Sequence, residues 1–411
     1  MCEPVFCNRI FPLPNRRLMI LRNSILMALL LSSISIIAQN NQGSASPANS
    51  GLSKPVQIQA LQRKTTEQSG KKQISAESSK EKAPAKSDVE LHLDDAVSSG
   101  AQFKQPEYWY NTYTDSRNSF LKNDGRIDLK EEKALESIVT ESIKNTPGSF
   151  YSNYILLRQN RNRASADIYI SLLEKQNVQP GLIDAEKAWM AERSNNNELR
   201  DKAMGDYFYH GMMSPVQLKM AEWMLEAAEN GSMIITNGEF DTYPLWYMAK
   251  NRNVFIISFA MMEDKTWLKN KLHQWDPGLN VPENIADRES LIELLLKSKK
   301  PVYLSWSVGL DLLKKHAPDL YPVGPLVRIS KNQVDNIPSL KKFYFNSDLQ
   351  FSLERFAVVP MNSDPFVHTL SNLYPGLSLL KKQVGNSDVF YDKTIVIENH
   401  LNNLTGKSIS K

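Results

Sequence analysis

The chain has 411 residues, a formal net charge of +4 and 23% charged residues. Its length allows two or three domains, each large enough to bury a hydrophobic core. A charge balance this close to neutral, with no basic segment of interleaved aromatic residues, excludes an extended basic face, so we expect no nucleic-acid partner.

Residues 1–38 predict a secretory signal peptide. Arg16, Arg17 and Arg22 precede the apolar run ILMALLLSSISII at 25–37, and Ala38 offers a cleavage point. The run is shorter than the roughly 20 residues that a membrane-spanning helix needs. We therefore expect an exported, periplasmic protein with no membrane span after cleavage. An uncleaved anchor is the alternative.

Cysteine and histidine usage limits the chemistry of the exported form. The only cysteines, Cys2 and Cys7, precede the apolar run, so cleavage would leave no disulfide, thiol nucleophile or cysteine ligand. His210, His273 and His316 are scattered, without the spacing of a zinc motif. We expect no metal and no cofactor.

Residues 39–105 and 106–229 differ sharply in composition. The first stretch is rich in Ser, Lys, Gln and Glu and poor in large apolar residues, which predicts a disordered linker. The second carries apolar residues at three- and four-residue intervals, with turn signals at 145–148 and 178–181. This pattern predicts α-helical hairpins, similar to tetratricopeptide units in their spacing.

Strands and helices alternate over residues 230–330. The short apolar runs that predict strands are 233–236, 254–260, 302–306 and 325–330. Helical patterns at 263–275 and 287–300 separate them, so we expect a small α/β domain with a mainly parallel sheet. Residues 331–411 predict an irregular mixed extension.

The loops that follow the predicted strands hold the candidate site residues. Ligands of open α/β sheets bind beyond the carboxyl ends of the strands, where a polar crevice with an aromatic wall would suit a glycan or another polar small molecule. The catalytic candidates are Glu239 and Asp241. The ligand-binding candidates are Asn237, Gly238, Thr242, Glu263, Asp264, Ser305 and Trp306.

The same loop also reads as an ordinary strand-to-helix junction. Asp241 or Thr242 would cap the helix, Pro244 would lie in its first turn, and Gly238 would supply a backbone angle that other residues resist. Asp264 would cap the next helix. Two carboxylates separated by one residue do not by spacing alone flank a glycosidic bond. We favour this structural interpretation.

Three segments carry a family resemblance: NGEFDTYPLWYMA at 237–249, NVFIISFAMMEDKTWLKNKL at 253–272, and KPVYLSWSVGLDLLKKHAPDLYPVGPLVRIS at 300–330. Residues 214–330 resemble the soluble C-terminal part of bacterial protein O-mannosyltransferase-like membrane glycosyltransferases. In that family the transfer chemistry is associated with the membrane-embedded portion. The resemblance therefore implies a fold and a periplasmic setting rather than the transferase activity.

Together these features predict an exported, non-catalytic binding or scaffold protein that contacts an envelope protein. One alternative is a glycan-active enzyme or glycosylation accessory that uses the loop at 237–242. Another is an accessory subunit of an envelope or secretion machine, recognised through the helical hairpins.

Overall fold

The computed structural model describes residues 105–120, 127–161, 165–358, 364–385 and 390–406. The predicted signal peptide, and the predicted linker except for its last residue, lie outside the described residues. Within the described ranges, no helix combines the length and the apolar character needed to cross a membrane.

Helices occupy the region where the sequence predicts them, and each of the first five contacts the next along the chain. The bounds are α1 Pro106–Phe120, α2 Leu129–Asn145, α3 Phe150–Asn160, α4 Ala166–Gln176, α5 Pro180–Arg193, α6 Asn197–Tyr209 and α7 Pro215–Ala227. Gly148 and Asn177 adopt left-handed backbone angles between helices, with φ of 72° and 47°. The turn at 145–148 is confirmed, and the chain also turns just before Pro180, although Pro180 and Gly181 of the second predicted turn already belong to α5. A tetratricopeptide-like repeat stays a prediction.

The sheet is mixed. Its strands are β1 Ser232–Thr236, β2 Val254–Ser258, β3 Val302–Ser305, β4 Leu320–Pro322 and β5 Leu326–Ile329, in the order β2-β1-β3-β5-β4. β1 pairs in parallel with β2 and β3, whereas β5 pairs antiparallel with β3 and β4. All four predicted strands are present, but a tight turn at Gly324, with φ of 103°, folds β5 back beside the unpredicted β4.

The tail after residue 330 is helical where the sequence predicted an irregular mixture. The remaining helices of the described residues are α8 Glu239–Met248, α9 Lys265–Trp275, α10 Arg288–Leu295, α11 Leu310–Lys315, α12 Ile337–Tyr344, α13 Ser347–Val358, α14 Tyr374–Val384 and α15 Tyr391–Thr405. Leu340, Leu353, Leu380 and Leu401 of α12–α15 are fully buried in the same hydrophobic cluster as β1. Packing of these apolar faces stabilises helices that are marginal in isolation.

The parallel part of the sheet positions the candidate loops. β1 is buried along its whole length between β2 and β3. Because these three strands run in the same direction, their carboxyl ends lie at one edge of the sheet. The loops that begin at Asn237, Phe259 and Trp306 therefore start from that edge.

Pro244 lies inside α8 rather than in its first turn, because the helix begins five residues earlier, at Glu239. Proline has no N–H, so the carbonyl of Phe240 lacks its helical donor. The side chain of Gln217 replaces it, since its Nε2 donates to Phe240 O at 3.1 Å. Gln217 Oε1 meanwhile accepts from Ser214 N at 3.0 Å in the cap of α7. The Gln217 side chain thus satisfies one backbone group of α8 and one in the cap of α7.

The change Gln217→Glu should keep the acceptor for Ser214 and remove the donor to Phe240. We expect the free energy of unfolding, measured by urea denaturation, to fall by about 1 kcal/mol, because a partly buried carbonyl loses its hydrogen bond. Pro244→Ala restores a backbone N–H for Phe240, so Gln217→Glu should cost less in that background. An equal cost in both backgrounds would contradict the role assigned to Gln217.

Candidate functional site

Asp241 joins two loops at the carboxyl edge of the sheet. Its carboxylate accepts from Gly238 N at 3.2 Å, from Asn237 N at 3.3 Å and from Ser307 Oγ at 2.5 Å. Burial raises its pKa, although the hydrogen bonds from Ser307 and Gly238 oppose that shift. The cavity that Asp241 lines has a volume of about 20 Å³, room for about one water molecule. Asp241 therefore connects the loops after β1 and β3 rather than facing a ligand.

The cap of α8 differs from the predicted one. Gly238 is the N-cap residue, and the carboxylate of Asp241, the third residue of the helix, accepts from the Gly238 N–H. Gly238 has an extended backbone with φ of −152°, and an added Cβ would meet nothing within 4 Å. The expectation that glycine supplies an unusual angle here was wrong. Thr242 is buried, donates to Gly238 O, and lies 2.6 Å from the Oγ1 of Thr236.

The other loops also contribute mainly structural groups. Ser305 is fully buried, and its Oγ accepts from Ser307 N at 3.3 Å. Trp306 is 7% exposed, with Nε1 pointing at the carbonyl of Gly324 at 3.4 Å, so it provides no aromatic wall. Asp264 accepts from the backbone N–H of Trp267 at 3.0 Å, which confirms the predicted cap of α9.

The other candidate acid, Glu239, points toward the helical region. Its Oε1 accepts from Arg158 Nη1 at 2.8 Å and from Arg161 Nη1 at 2.5 Å, both on or directly after α3. Arg158 Nη1 also lies 2.8 Å from Oε1 of Glu186, a fully buried carboxylate of α5. The guanidinium of Arg161 lies 3.6 Å above the ring of Trp189. These contacts hold both arginine side chains in place.

The arginines determine the protonation state of Glu239. Burial would raise the pKa of this carboxyl, but Arg158, Arg161 and Arg117 outweigh burial and lower the pKa well below its usual range. A general acid or base near neutral pH needs a pKa close to 7. Glu239 is therefore a fixed anion and does not suit proton transfer.

A cleft of about 370 Å³ opens beside these arginines, between α1–α3 and the carboxyl edge of the sheet. We call it the arginine cleft. Its charged lining residues are Arg117, Arg158, Arg161, Lys265, Arg288, Glu132, Glu263 and Asp287. The volume lies within the range of about 300–1,000 Å³ that is typical of small-molecule sites.

Arg117 of α1 differs from its neighbours in having no hydrogen-bond or ion-pair partner among the described residues. Burial, followed by the charges of Arg158 and Arg161, lowers its pKa. An arginine stays protonated under such a shift because its ordinary pKa is above 12. Glu186 and Glu239 pair with the other two arginines, whereas the Arg117 guanidinium forms no ion pair with any residue that the structure describes.

The opposite wall of the arginine cleft brings in two of the predicted ligand-binding residues. Glu263 lines the cleft, and Asn237 lies at its side, where its Oδ1 accepts from Arg288 Nη1 at 3.0 Å. The arginines themselves were missed by sequence reasoning. The available signal was weak: Arg158 and Arg161 are three residues apart, so they share a helix face.

Comparison of the chain with protein-family models, with curated proteins and with solved structures gives no match. The resemblance of residues 214–330 to the O-mannosyltransferase-like family stays a sequence-based prediction. Among the described residues, no group of three or more His, Cys, Asp or Glu side chains is arranged to hold a metal ion.

The ion pairs of Glu239 should make stability depend on pH. Because its folded pKa lies below the usual 4.5, the stability that it contributes is present above pH 4.5 and is lost as the pH falls below that value. Glu239→Gln should lower the free energy of unfolding at pH 7 by about 2–4 kcal/mol, since Arg158 and Arg161 lose their shared partner. Its further decline toward pH 3 should be shallower than that of the wild type.

Urea unfolding at a series of pH values measures both effects. Glu136→Gln, on the exposed face of α2, is the control and should follow the wild-type curve. Parallel curves for wild type and Glu239→Gln would show that the ion pairs with the arginines do not stabilise the fold.

Proposed function

We propose that the protein is an exported, non-catalytic binding protein of the periplasm whose arginine cleft takes a small anionic ligand. The observation that carries this proposal is the guanidinium of Arg117, which lines a cleft of about 370 Å³ and has no ion-pair partner within the described part of the chain. Guanidinium groups bind carboxylates and phosphates through paired hydrogen bonds. Arginine side chains hold Glu239 ionised, and the Asp241 carboxylate accepts hydrogen bonds from Gly238 and Ser307, so neither acid supports proton transfer.

The location of the cleft supports ligand binding. It adjoins the carboxyl edge of the parallel strands, where ligands of open α/β sheets bind. In a partly enclosed site of effective dielectric constant about 20, two opposite charges 4 Å apart attract by about 4 kcal/mol. Glu239 and Glu186 already hold Arg158 and Arg161 in position, so little side-chain entropy is lost when a ligand enters.

The setting and the partner in this proposal come from the sequence. The predicted signal peptide and the resemblance of residues 214–330 both favour the periplasm. The predicted envelope-protein partner belongs to the proposal because a non-catalytic binding protein acts by passing its ligand or its ligand-bound state to another protein. A glycan fits the basic side of this cleft if the glycan carries an acidic group.

Isothermal titration of the purified protein with acetate, sulfate and inorganic phosphate at low ionic strength tests the proposal. Arg117→Gln should weaken anion binding about tenfold to a hundredfold, because a hydrogen bond to a charged group contributes about 1.5–3 kcal/mol. Arg355→Gln removes an exposed arginine of α13 that does not line the cleft, and it should leave the affinity unchanged.

Equal affinities of the wild type and Arg117→Gln, or binding of none of the three anions, would contradict the proposed site. Turnover of a glycan by the purified protein, abolished in Asp241→Asn, would overturn the non-catalytic part of the proposal.

A further inference from the structure

The arginine cleft is lined by charges of both signs. The charges that act on Arg117 include Arg158, Arg161 and Glu239, which form a basic end. The charges that act on Glu132 of α2 are instead those of other carboxylates, first among them Glu263. Glu132 and Glu263 line the same cleft from α2 and from the loop after β2, and we call these two carboxylates the acidic lip. Lys265 and Arg288 also line this part of the cleft.

The acidic lip favours a cation. Partial burial, followed by the charges of Glu263 and Glu136, raises the pKa of Glu132. Carboxylates that repel one another in this way are stabilised when a positive charge enters between them. The Glu132 carboxylate makes no ion pair with any described residue. A ligand that carries only negative charge is attracted at the basic end and repelled at the acidic lip.

The basic end has room for about one negative charge. Arg158 forms ion pairs with both Glu186 and Glu239, and Arg161 forms one with Glu239. Two carboxylates therefore already offset the positive charges of two of the three guanidinium groups. Arg117 supplies the remaining positive charge. A carboxylate carries one negative charge, whereas a phosphate monoester carries about 1.5–2 at neutral pH. A carboxylate therefore balances the charge of Arg117 at the basic end without a surplus negative charge there.

We propose that the ligand is zwitterionic, with its carboxylate on Arg117 and its ammonium group at the lip formed by Glu132 and Glu263. This inference rests on the proposed anion-binding function and specifies its ligand class: amino acids and short peptides with free termini. An extended chain spans at most about 3.5 Å per residue, so peptides of one to three residues sample the lengths that a small-ligand cleft accepts.

The test compares glycine, diglycine and triglycine with their N-acetylated and C-amidated forms, by isothermal titration of the purified protein. At one or more lengths the zwitterion should bind best. Acetylation, which removes the cation, should weaken binding about twofold to fivefold, as expected for a partly exposed ion pair. Amidation, which removes the anion, should weaken binding more than about tenfold, as expected for a lost charged hydrogen bond.

Two variants assign the contacts. In Glu132→Gln the difference in affinity between each free peptide and its acetylated form should shrink. Glu198→Gln, on the exposed face of α6 and not part of the cleft lining, should preserve that difference. Arg117→Gln should abolish the preference for the free carboxylate. Glu132 is exposed, so its substitution should leave the melting temperature unchanged.

Acetylated peptides that bind as well as the free ones would overturn the zwitterion proposal and leave anion binding intact. Binding of inorganic anions without binding of any peptide would also overturn the zwitterion proposal and leave anion binding intact. Absence of binding by both peptides and inorganic anions would overturn the proposed function itself.

Discussion

Two arginines share one carboxylate at the centre of this structure. An unpaired buried cation costs several kcal/mol, so Arg158 and Arg161 are stable only where Glu239 and Glu186 face them. The four side chains belong to α3, α5, α8 and the residue that follows α3, and their pairing restricts how the helical region lies against the sheet. The arginine cleft opens beside this contact, and Arg117 in its lining makes no ion pair with the residues that the structure describes.

Helix geometry explains why Glu239 and Asp241 act separately. Residues two apart on an α-helix point about 200° from each other. Because α8 begins at Glu239, the first acid turns toward α3 and the second toward the loop after β3. Their closeness in sequence suggested a catalytic pair. The helix that contains both gives one carboxylate to an ion-pair cluster and the other to a cap.

Local signals predicted much of the fold and little of the site. Short apolar runs located the predicted strands, and Asp264 was recognised as a cap because its partner, the N–H of Trp267, is three residues away. The antiparallel return of β5 depends on the turn at Gly324, and the helices of the tail depend on apolar faces that are recognisable only when packed. Arg117, Arg158 and Glu239 come from distant parts of the chain.

The sequence by itself determined the helical region, the location of the first three strands, the turns and the export expectation, since each of these arises from residues close together in the chain. Tertiary structure decided which charges meet. Ion pairing and cleft formation join residues dozens of positions apart, and the free energy of a buried charge depends on the neighbours that folding brings to it. The enclosed carboxylate of Asp241 and the position of the Arg117 guanidinium in the cleft are therefore properties of the fold.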